Sequence, residues 1–176
     1  MKLSSESESI EPLRLDFHRR ESFRCGEVTL DRYLQEFAGQ EIRRRTASVF
    51  VLTPVGDPQI LGYYSLSQSS IGLSELPPEV QKKLPRYPKI PATLLGRLAV
   101  DRSCHGRRFG EVLLLDSLYR TWTVSQQIAA FAMVVDVLEI QPDPLGFYLS
   151  YGFKAFPENP RRLYLPLAEF KNLFQA

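Results

Sequence analysis

The stretch "DRSCHGRRFGEVLLLDSL", residues 101–118, decides the fold class of this chain. The run "LLGRLAVD" before it predicts a β-strand, and "GEVLLLDSLYRTWTVSQQ" predicts a helix from the spacing of its apolar residues. The connecting loop carries His105, two glycines and several arginines. A helix N-terminus is already positive, so cations placed there favour a bound anion such as phosphate. On the residues alone, a tight turn with solvated arginines explains the loop equally well.

The remaining sequence patterns predict the order β-α-β-β-loop-β-α-β-α-β-β. That order is typical of an α/β (α+β) domain, with a mixed sheet of about six to seven strands flanked by helices. The strands are expected at residues 10–19, 46–54, 59–71, 94–101, 129–138, 153–157 and 161–167. The helices are expected within 25–45, 77–84, 110–127 and 143–153, and the rest of the proline-rich stretch 75–93 is expected to be an extended loop.

Length and composition indicate one domain with a substantial core. The chain has 176 residues, of which 44% are hydrophobic. We expect a flexible N-terminus over the polar residues 1–9 and a single domain over 10–176. No apolar run approaches the roughly 20 residues that span a membrane, and no signal peptide is visible, so a cytoplasmic protein is predicted. Cys25 and Cys104 fit no metal or redox spacing, and we expect reduced thiols and no metal.

Arginine is strongly preferred to lysine in this chain. The sequence contains 16 arginines and six lysines, although the net charge is only +2. The planar guanidinium group of arginine suits phosphate, which makes the clusters at 43–45, 107–108 and 161–162 candidate phosphate contacts. A solvated surface explains any single cluster equally well.

Several separated stretches resemble the GNAT superfamily of N-acetyltransferases, which bind acetyl-CoA. They are "FRCGEVTLDRYLQEFA", "ILGYYSLS", "LLGRLAVD", "HGRRFGEVLLLDSL", "VVDVL", "FYLSYGF" and "RRLYLPL". The superfamily signature Gln/Arg-x-x-Gly-x-Gly/Ala aligns with "HGRRFG", where His105 replaces the first residue and Arg108 the first glycine. In order and spacing the stretches are similar to one branch, the bacterial toxins of toxin–antitoxin pairs that acetylate aminoacyl-tRNA.

This resemblance implies a GNAT fold and specific residue roles. The strand backbone would hold the pantetheine arm of acetyl-CoA, and the following loop would wrap its pyrophosphate. His105 is expected to contribute a loop N–H or a hydrogen bond rather than to act as an acid or base. The residues expected at acetyl-CoA are Leu98, Ala99, Val100, His105, Gly106, Arg107, Arg108, Phe109, Gly110 and Glu111. Tyr148 of "FYLSYGF" would be the general acid at the sulfur. The residues expected at RNA phosphates are Arg43, Arg44, Arg45, Arg97, Arg161 and Arg162.

The same resemblance implies aminoacyl-tRNA as substrate, a small ribbon–helix–helix antitoxin as partner, and a homodimer. The toxin would block translation. From the residues alone Tyr148 fits a core aromatic better than a catalytic group, whereas the resemblance favours catalysis. A small amine, a peptide N-terminus and an inactive GNAT-fold binding module are the alternative functions.

The chemistry of the acceptor narrows the substrate. A lysine amine with a pKa of about 10.4 is almost fully charged at neutral pH, whereas an α-amine with a pKa of about 7.7–8.0 is not. No carboxylate stands out as a general base, and Asp136 and Glu139 are expected to have structural roles such as helix capping. An α-amine needs the least help from a base, so the absence of one fits an aminoacyl end or a protein N-terminus better than a lysine.

Overall fold

Seven strands form one mixed sheet in the computed structural model, which describes residues 7–174. The strands are β1 (Glu8–Pro12), β2 (Ser48–Pro54), β3 (Gly62–Gly72), β4 (Lys89–Val100), β5 (Ala132–Asp136), β6 (Lys154–Phe156) and β7 (Asn159–Pro166). Their order in the sheet is β1-β2-β3-β4-β5-β7-β6. β5 runs parallel to β4, whereas the pairs β1–β2, β2–β3, β5–β7 and β6–β7 are antiparallel. The predicted mixed sheet of six to seven strands is confirmed.

Helices lie between most of these strands. They are α1 (Val28–Arg32), α2 (Ala38–Arg44), α3 (Pro78–Gln81), α4 (Phe109–Ser125), α5 (Leu145–Ser150) and α6 (Leu167–Phe174). A π-helical turn, Tyr33–Phe37, joins α1 to α2. Short 3-10 turns cover Leu73–Glu75 and Arg102–Cys104. None of the described helices is long and apolar enough to cross a membrane.

The first strand lies earlier in the chain than the predicted range 10–19. It begins at Glu8, inside the segment 1–9 for which a flexible N-terminus is predicted, and residues 1–6 lie outside the described part of the chain. After β1 the chain turns, because the Arg14 N–H donates to Nδ1 of His18 and the His18 N–H donates to the Arg14 carbonyl, both at 2.9 Å. The prediction of a strand through residue 19 is therefore wrong.

Two further differences concern the ends of predicted elements. β4 starts at Lys89, inside the stretch 75–93 that was expected to be mostly loop. Pro91 fits this strand because it still offers an acceptor, and its carbonyl accepts the Phe131 N–H at 2.8 Å. The sequence gives no sign of α6, which begins directly after β7 ends at Pro166.

The described chain forms two compact units. The first contains residues 7–67 and 96–119, and the second contains 68–95 and 120–174. Each has its own core of buried side chains. Leu34, Val51 and Tyr63 lie in the core of the first unit. Ile71, Val134 and Tyr164 lie in the core of the second.

Candidate functional site

The loop after β4 is shaped by Asp101. One of its carboxylate oxygens accepts the Ser103 N–H at 3.0 Å and the Ser103 hydroxyl at 2.7 Å, and the other accepts the Arg24 N–H at 2.9 Å. Partial burial raises the pKa of Asp101, but these hydrogen bonds outweigh it and hold the pKa below its usual value. A charged Asp101 therefore fixes the 3-10 turn with which the loop begins.

His105 ties this loop back to the strand. Its Nε2 lies 2.9 Å from the Val100 carbonyl oxygen. A carbonyl oxygen only accepts, so Nε2 carries the proton in this bond. This bond holds the start of the loop against the end of β4.

The backbone of Arg108 adopts a conformation that favours glycine. Its φ is +60°, and Gly106 nearby has φ +84°. Arg108 occupies the position at which the GNAT signature has its first glycine, and glycine reaches positive φ without the steric cost of a side chain. The departure from the signature therefore places a cationic side chain on a glycine-like backbone.

The two loop arginines already have carboxylate partners. Arg107 lies 3.1 Å from Glu8 of β1, and its guanidinium also lies over the Phe109 ring at 4.4 Å. Arg108 lies 2.6 Å from Glu111 in the first turn of α4. The side chains of Arg107 and Arg108 are 53% and 78% exposed, and exposed pairs of this kind contribute only about 0–1 kcal/mol. Both arginines are therefore able to exchange their carboxylate for a phosphate.

The residues expected at acetyl-CoA form one continuous region of the first unit. Ala99 is buried in the core at the end of β4, with Leu98 and Val100 partly buried on either side. The backbone of α4 is bonded to the loop through the Val112 N–H, which donates to the Arg108 carbonyl at 3.3 Å. N–H groups in the first turn of a helix have no acceptor within the helix and point toward an anion placed there. These backbone N–H donors suit a pyrophosphate.

Arg108→Gly tests the strain at this position. We expect the free energy of unfolding to stay unchanged or to rise by up to about 1 kcal/mol, because relief of the positive φ offsets loss of the exposed Glu111 pair. Among the described non-glycine residues only Arg45 and Arg108 have positive φ, so Arg107→Gly is a matched control that should lose about 0.5–1 kcal/mol. Urea unfolding measures both. A clear loss in Arg108→Gly would show that its side chain outweighs the strain.

Tyr148 lies in α5 of the second unit and is 6% exposed. Its ring makes edge contacts with Phe147 and Phe153, with centroids 5.2 and 5.7 Å away. Burial raises the pKa of its hydroxyl, and within the described residues that hydroxyl has no hydrogen-bond partner. The helix ends at Ser150, and Gly152, two residues later, has a φ of +91°, which fits the predicted glycine cap. A neutral phenol with an unused proton suits a general acid.

Arg161 holds the segment that leads into α5. It binds both carboxylate oxygens of Asp143, at 2.9 and 3.0 Å, and the carbonyls of Val137 and Leu138 at 3.2 and 2.6 Å. Asp143 in turn accepts the Leu145 N–H at 3.0 Å, which starts the helix. The hydrogen bonds from Arg161 are the main reason why the pKa of Asp143 is lowered.

Asp136 and Glu139 have structural roles, as expected from the sequence, but as ion-pair partners of arginines and not as helix caps. Asp136 accepts from Arg162 with both oxygens, each at 3.1 Å. Glu139 lies 3.9 Å from Arg161. Both arginines of this cluster are therefore engaged by carboxylates of the second unit.

Arg43, Arg44 and Arg45 lie together on the first unit, at the C-terminal end of α2. All three are exposed, and none has an ion pair with another described residue. A helix C-terminus favours cations, so the position of these arginines also has a structural explanation. It is nevertheless the cluster with the most available positive charge.

Arg97 lies on β4 and is partly buried. Its guanidinium lies 3.8 Å from the centroid of the Tyr33 ring. Tyr33 in turn donates to Glu41 at 2.6 Å. Sequence reasoning did not find Tyr33 or Glu41, since no local motif marks a contact between a helix and a distant strand.

Comparison with known proteins decides the family, although no family model matches the chain. A probable toxin TacT of Sinorhizobium fredii is 29% identical over 169 residues, which cover 93% of each chain. The tRNA-acetylating toxin of Mycobacterium tuberculosis is 31% identical over 152 residues, which cover 86% of this chain and 88% of that protein. The chain belongs to the tRNA-acetylating toxin family. The predicted toxin branch of the GNAT superfamily is confirmed.

Solved structures of this family share the fold. AtaT complexed with acetyl-methionyl-tRNAfMet has a TM-score of 0.86 and is 30% identical, with 95% of this chain and 99% of that chain covered. A tyrosine-to-phenylalanine variant of AtaT, bound to acetyl-CoA and to the C-terminus of the antitoxin AtaR, has a TM-score of 0.80. It is 27% identical, with 97% and 100% of the two chains covered.

Proposed function

We propose that this chain transfers the acetyl group of acetyl-CoA to the α-amine of an aminoacyl-tRNA and so acts as a toxin that blocks translation. The observation that carries the proposal is the similarity to a tRNA-acetylating toxin along almost the whole chain. The full-length match to AtaT complexed with an acetylated aminoacyl-tRNA supports it.

Acetyl-CoA supplies an activated acetyl thioester when it is bound. We assign the pantetheine arm to the backbone of Leu98–Val100 and the pyrophosphate to the loop and first turn of α4, from His105 to Glu111. The free N–H groups of that turn, together with Arg107 and Arg108, provide the donors that a pyrophosphate needs.

Tyr148 is assigned the role of general acid. Its raised pKa keeps the phenol protonated at neutral pH, so it is able to donate to the leaving thiolate. A substantial fraction of α-amines is neutral near pH 7.5, so water suffices to accept the proton of the attacking amine. With Tyr148 as the acid and water as the base, the reaction needs no carboxylate base.

The RNA is assigned first to the cluster Arg43–Arg45 and to Arg97. Arg161 and Arg162 are the next candidates for contact with RNA, because a phosphate would have to displace their carboxylate partners. The further partners are a small ribbon–helix–helix antitoxin and a second copy of the chain, and the site of action is the cytoplasm.

Mass spectrometry of aminoacyl-tRNA tests this function. After incubation with the protein and acetyl-CoA, we expect the aminoacyl group to gain one acetyl group at its α-amine. Uncharged tRNA is the control and should stay unmodified. Acetylation of free amino acids or a peptide N-terminus, with none on aminoacyl-tRNA, would favour the small-amine or peptide activity instead.

Acetyl-CoA should also stabilise the fold. At one hundred times its dissociation constant, a ligand that binds only the folded state adds about 2.7 kcal/mol, which corresponds to a rise in Tm of about 5–10 °C for a chain of this length. Thermal unfolding with and without millimolar acetyl-CoA measures the shift. An unchanged Tm would favour an inactive binding module.

A further inference from the structure

The helical segment α1–α2 of the first unit contains an irregular turn. The π-helical turn Tyr33–Phe37 interrupts the regular helix between α1 and α2. Such turns are rare and occur frequently at functional sites. The turn begins at Tyr33, which is only 3% exposed. A turn of this kind changes the direction of the side chains that follow it.

Tyr33 is held by a hydrogen bond from its hydroxyl and by a contact of its ring with a second tyrosine. Its hydroxyl donates to a carboxylate oxygen of Glu41 at 2.6 Å, eight positions along the chain. Its ring lies nearly parallel to that of Tyr63, at 19°, with centroids 6.1 Å apart. Burial, followed by the bond to Glu41, raises the pKa of Tyr33, so the phenol stays protonated and remains a donor. The ring therefore has a fixed orientation.

The held ring supports the guanidinium of Arg97, 3.8 Å from its centroid. Within the part of the chain that the structure describes, no carboxylate lies within ion-pair distance of this partly buried arginine. Arg161 and Arg162, by contrast, are each bound to an aspartate. A cation–π contact uses the flat face of a guanidinium and leaves its N–H donors free. Arg97 is thus placed, oriented and unpaired, as an anion-binding group would be.

We infer that Tyr33 and Glu41 are positioning residues that hold the Arg97 guanidinium toward a phosphodiester near the aminoacylated 3′ end of tRNA. This inference rests on the proposed function. Arg97 immediately precedes Leu98–Val100, which that function assigns to the pantetheine arm, and successive strand residues are about 3.3 Å apart. A phosphate bound at Arg97 therefore belongs to the last nucleotides before the reacting amine.

Steady-state kinetics with both substrates test the role of Arg97. Arg97→Ala should raise the KM for aminoacyl-tRNA about 10- to 100-fold, a loss of about 1.4–2.8 kcal/mol at 1.4 kcal/mol per factor of ten. The KM for acetyl-CoA should stay within about twofold. Arg97→Lys keeps the charge but loses the planar fork, and we expect an intermediate KM for the RNA. An unchanged KM for the RNA in both variants would overturn the inference.

Conservative variants test the two positioning residues. Tyr33→Phe keeps the ring but loses the bond to Glu41, and should raise the KM for aminoacyl-tRNA about three- to tenfold with kcat preserved. Glu41→Ala removes the acceptor for the hydroxyl and should raise the same KM by a similar factor, whereas Glu41→Gln, which keeps an acceptor, should reverse most of that rise. In an Arg97→Ala background, Tyr33→Phe should have no further effect on that KM, because residues that act as a unit are not additive. Additive effects, or equal changes in both KM values, would show a merely structural role and overturn the inference.

The activity of the wild-type protein distinguishes failure of this inference from failure of the proposed function on which it rests. If it acetylates no aminoacyl-tRNA, the proposed function fails, and the inference fails with it. If it acetylates aminoacyl-tRNA while the Arg97 variants keep a normal KM, only the inference fails.

Discussion

Tyr148→Phe should lower kcat by about 10²–10⁴-fold and leave the KM for both substrates nearly unchanged. Loss of a general acid typically costs this much. The fold should survive, because the edge contacts of the ring with Phe147 and Phe153 do not involve the hydroxyl. Rates of acetyl transfer to aminoacyl-tRNA at saturating substrate measure the effect. Tyr151→Phe, in the same motif, is the matched control and should keep near-normal turnover.

The pH dependence provides a second check on Tyr148. Burial raises its pKa above the ordinary value of about 10, so the phenol remains protonated throughout the neutral and mildly basic range. Its contribution to stability is likewise fully present below the unfolded-state pKa of about 10 and is lost only above it. Turnover should therefore rise as the α-amine deprotonates near pH 8 and stay level to about pH 9.5. Near-wild-type turnover in Tyr148→Phe would show that water or another group protonates the sulfur.

Replacing Arg43, Arg44 and Arg45 together by alanine should flatten the salt dependence of tRNA binding. If each arginine meets one phosphate, the slope of log affinity against log salt should shrink by about two to three units. Affinity for acetyl-CoA should not change. Filter binding across a range of salt concentrations measures the slope.

A second triple variant separates local contacts from overall charge. Lys82, Lys83 and Arg86 are also exposed and carry the same total charge, and their replacement by alanine should leave the slope nearly unchanged. Equal slopes in both variants and the wild type would mean that the cluster at the end of α2 is only a solvated face. Equal losses in both variants would indicate a general effect of net charge.

The sequence predicts those parts of this molecule that depend on neighbouring residues. The β4–loop–α4 unit follows from an apolar run, glycines and a helical spacing, and α5 follows from "FYLSYGF" and the cap at Gly152. Arg108 at a glycine position likewise signals a special backbone conformation. In each case the determining interactions lie within a few residues.

The parts that the sequence does not predict depend on distant pairs. Arg107 binds Glu8, 99 positions away, and Arg161 binds Asp143, 18 positions away. Any of the 16 arginines could have formed an ion pair with any carboxylate, because charge alone does not specify the partner. The end of β1 is missed for a different reason: the bond between Arg14 and His18 that turns the chain is local, but it leaves no mark on the hydrophobic pattern.

The contacts of Arg161 bear on how loss-of-function variants of this toxin should be interpreted. In an alanine screen of the arginines scored by cell growth, Arg161→Ala would relieve toxicity and look like a lost RNA contact. Yet its side chain binds the Asp143 segment that precedes the helix of Tyr148, so displacement of the proposed general acid would produce the same phenotype. A surviving colony therefore does not distinguish a residue that contacts the nucleic acid from one that keeps the helix of Tyr148 in place.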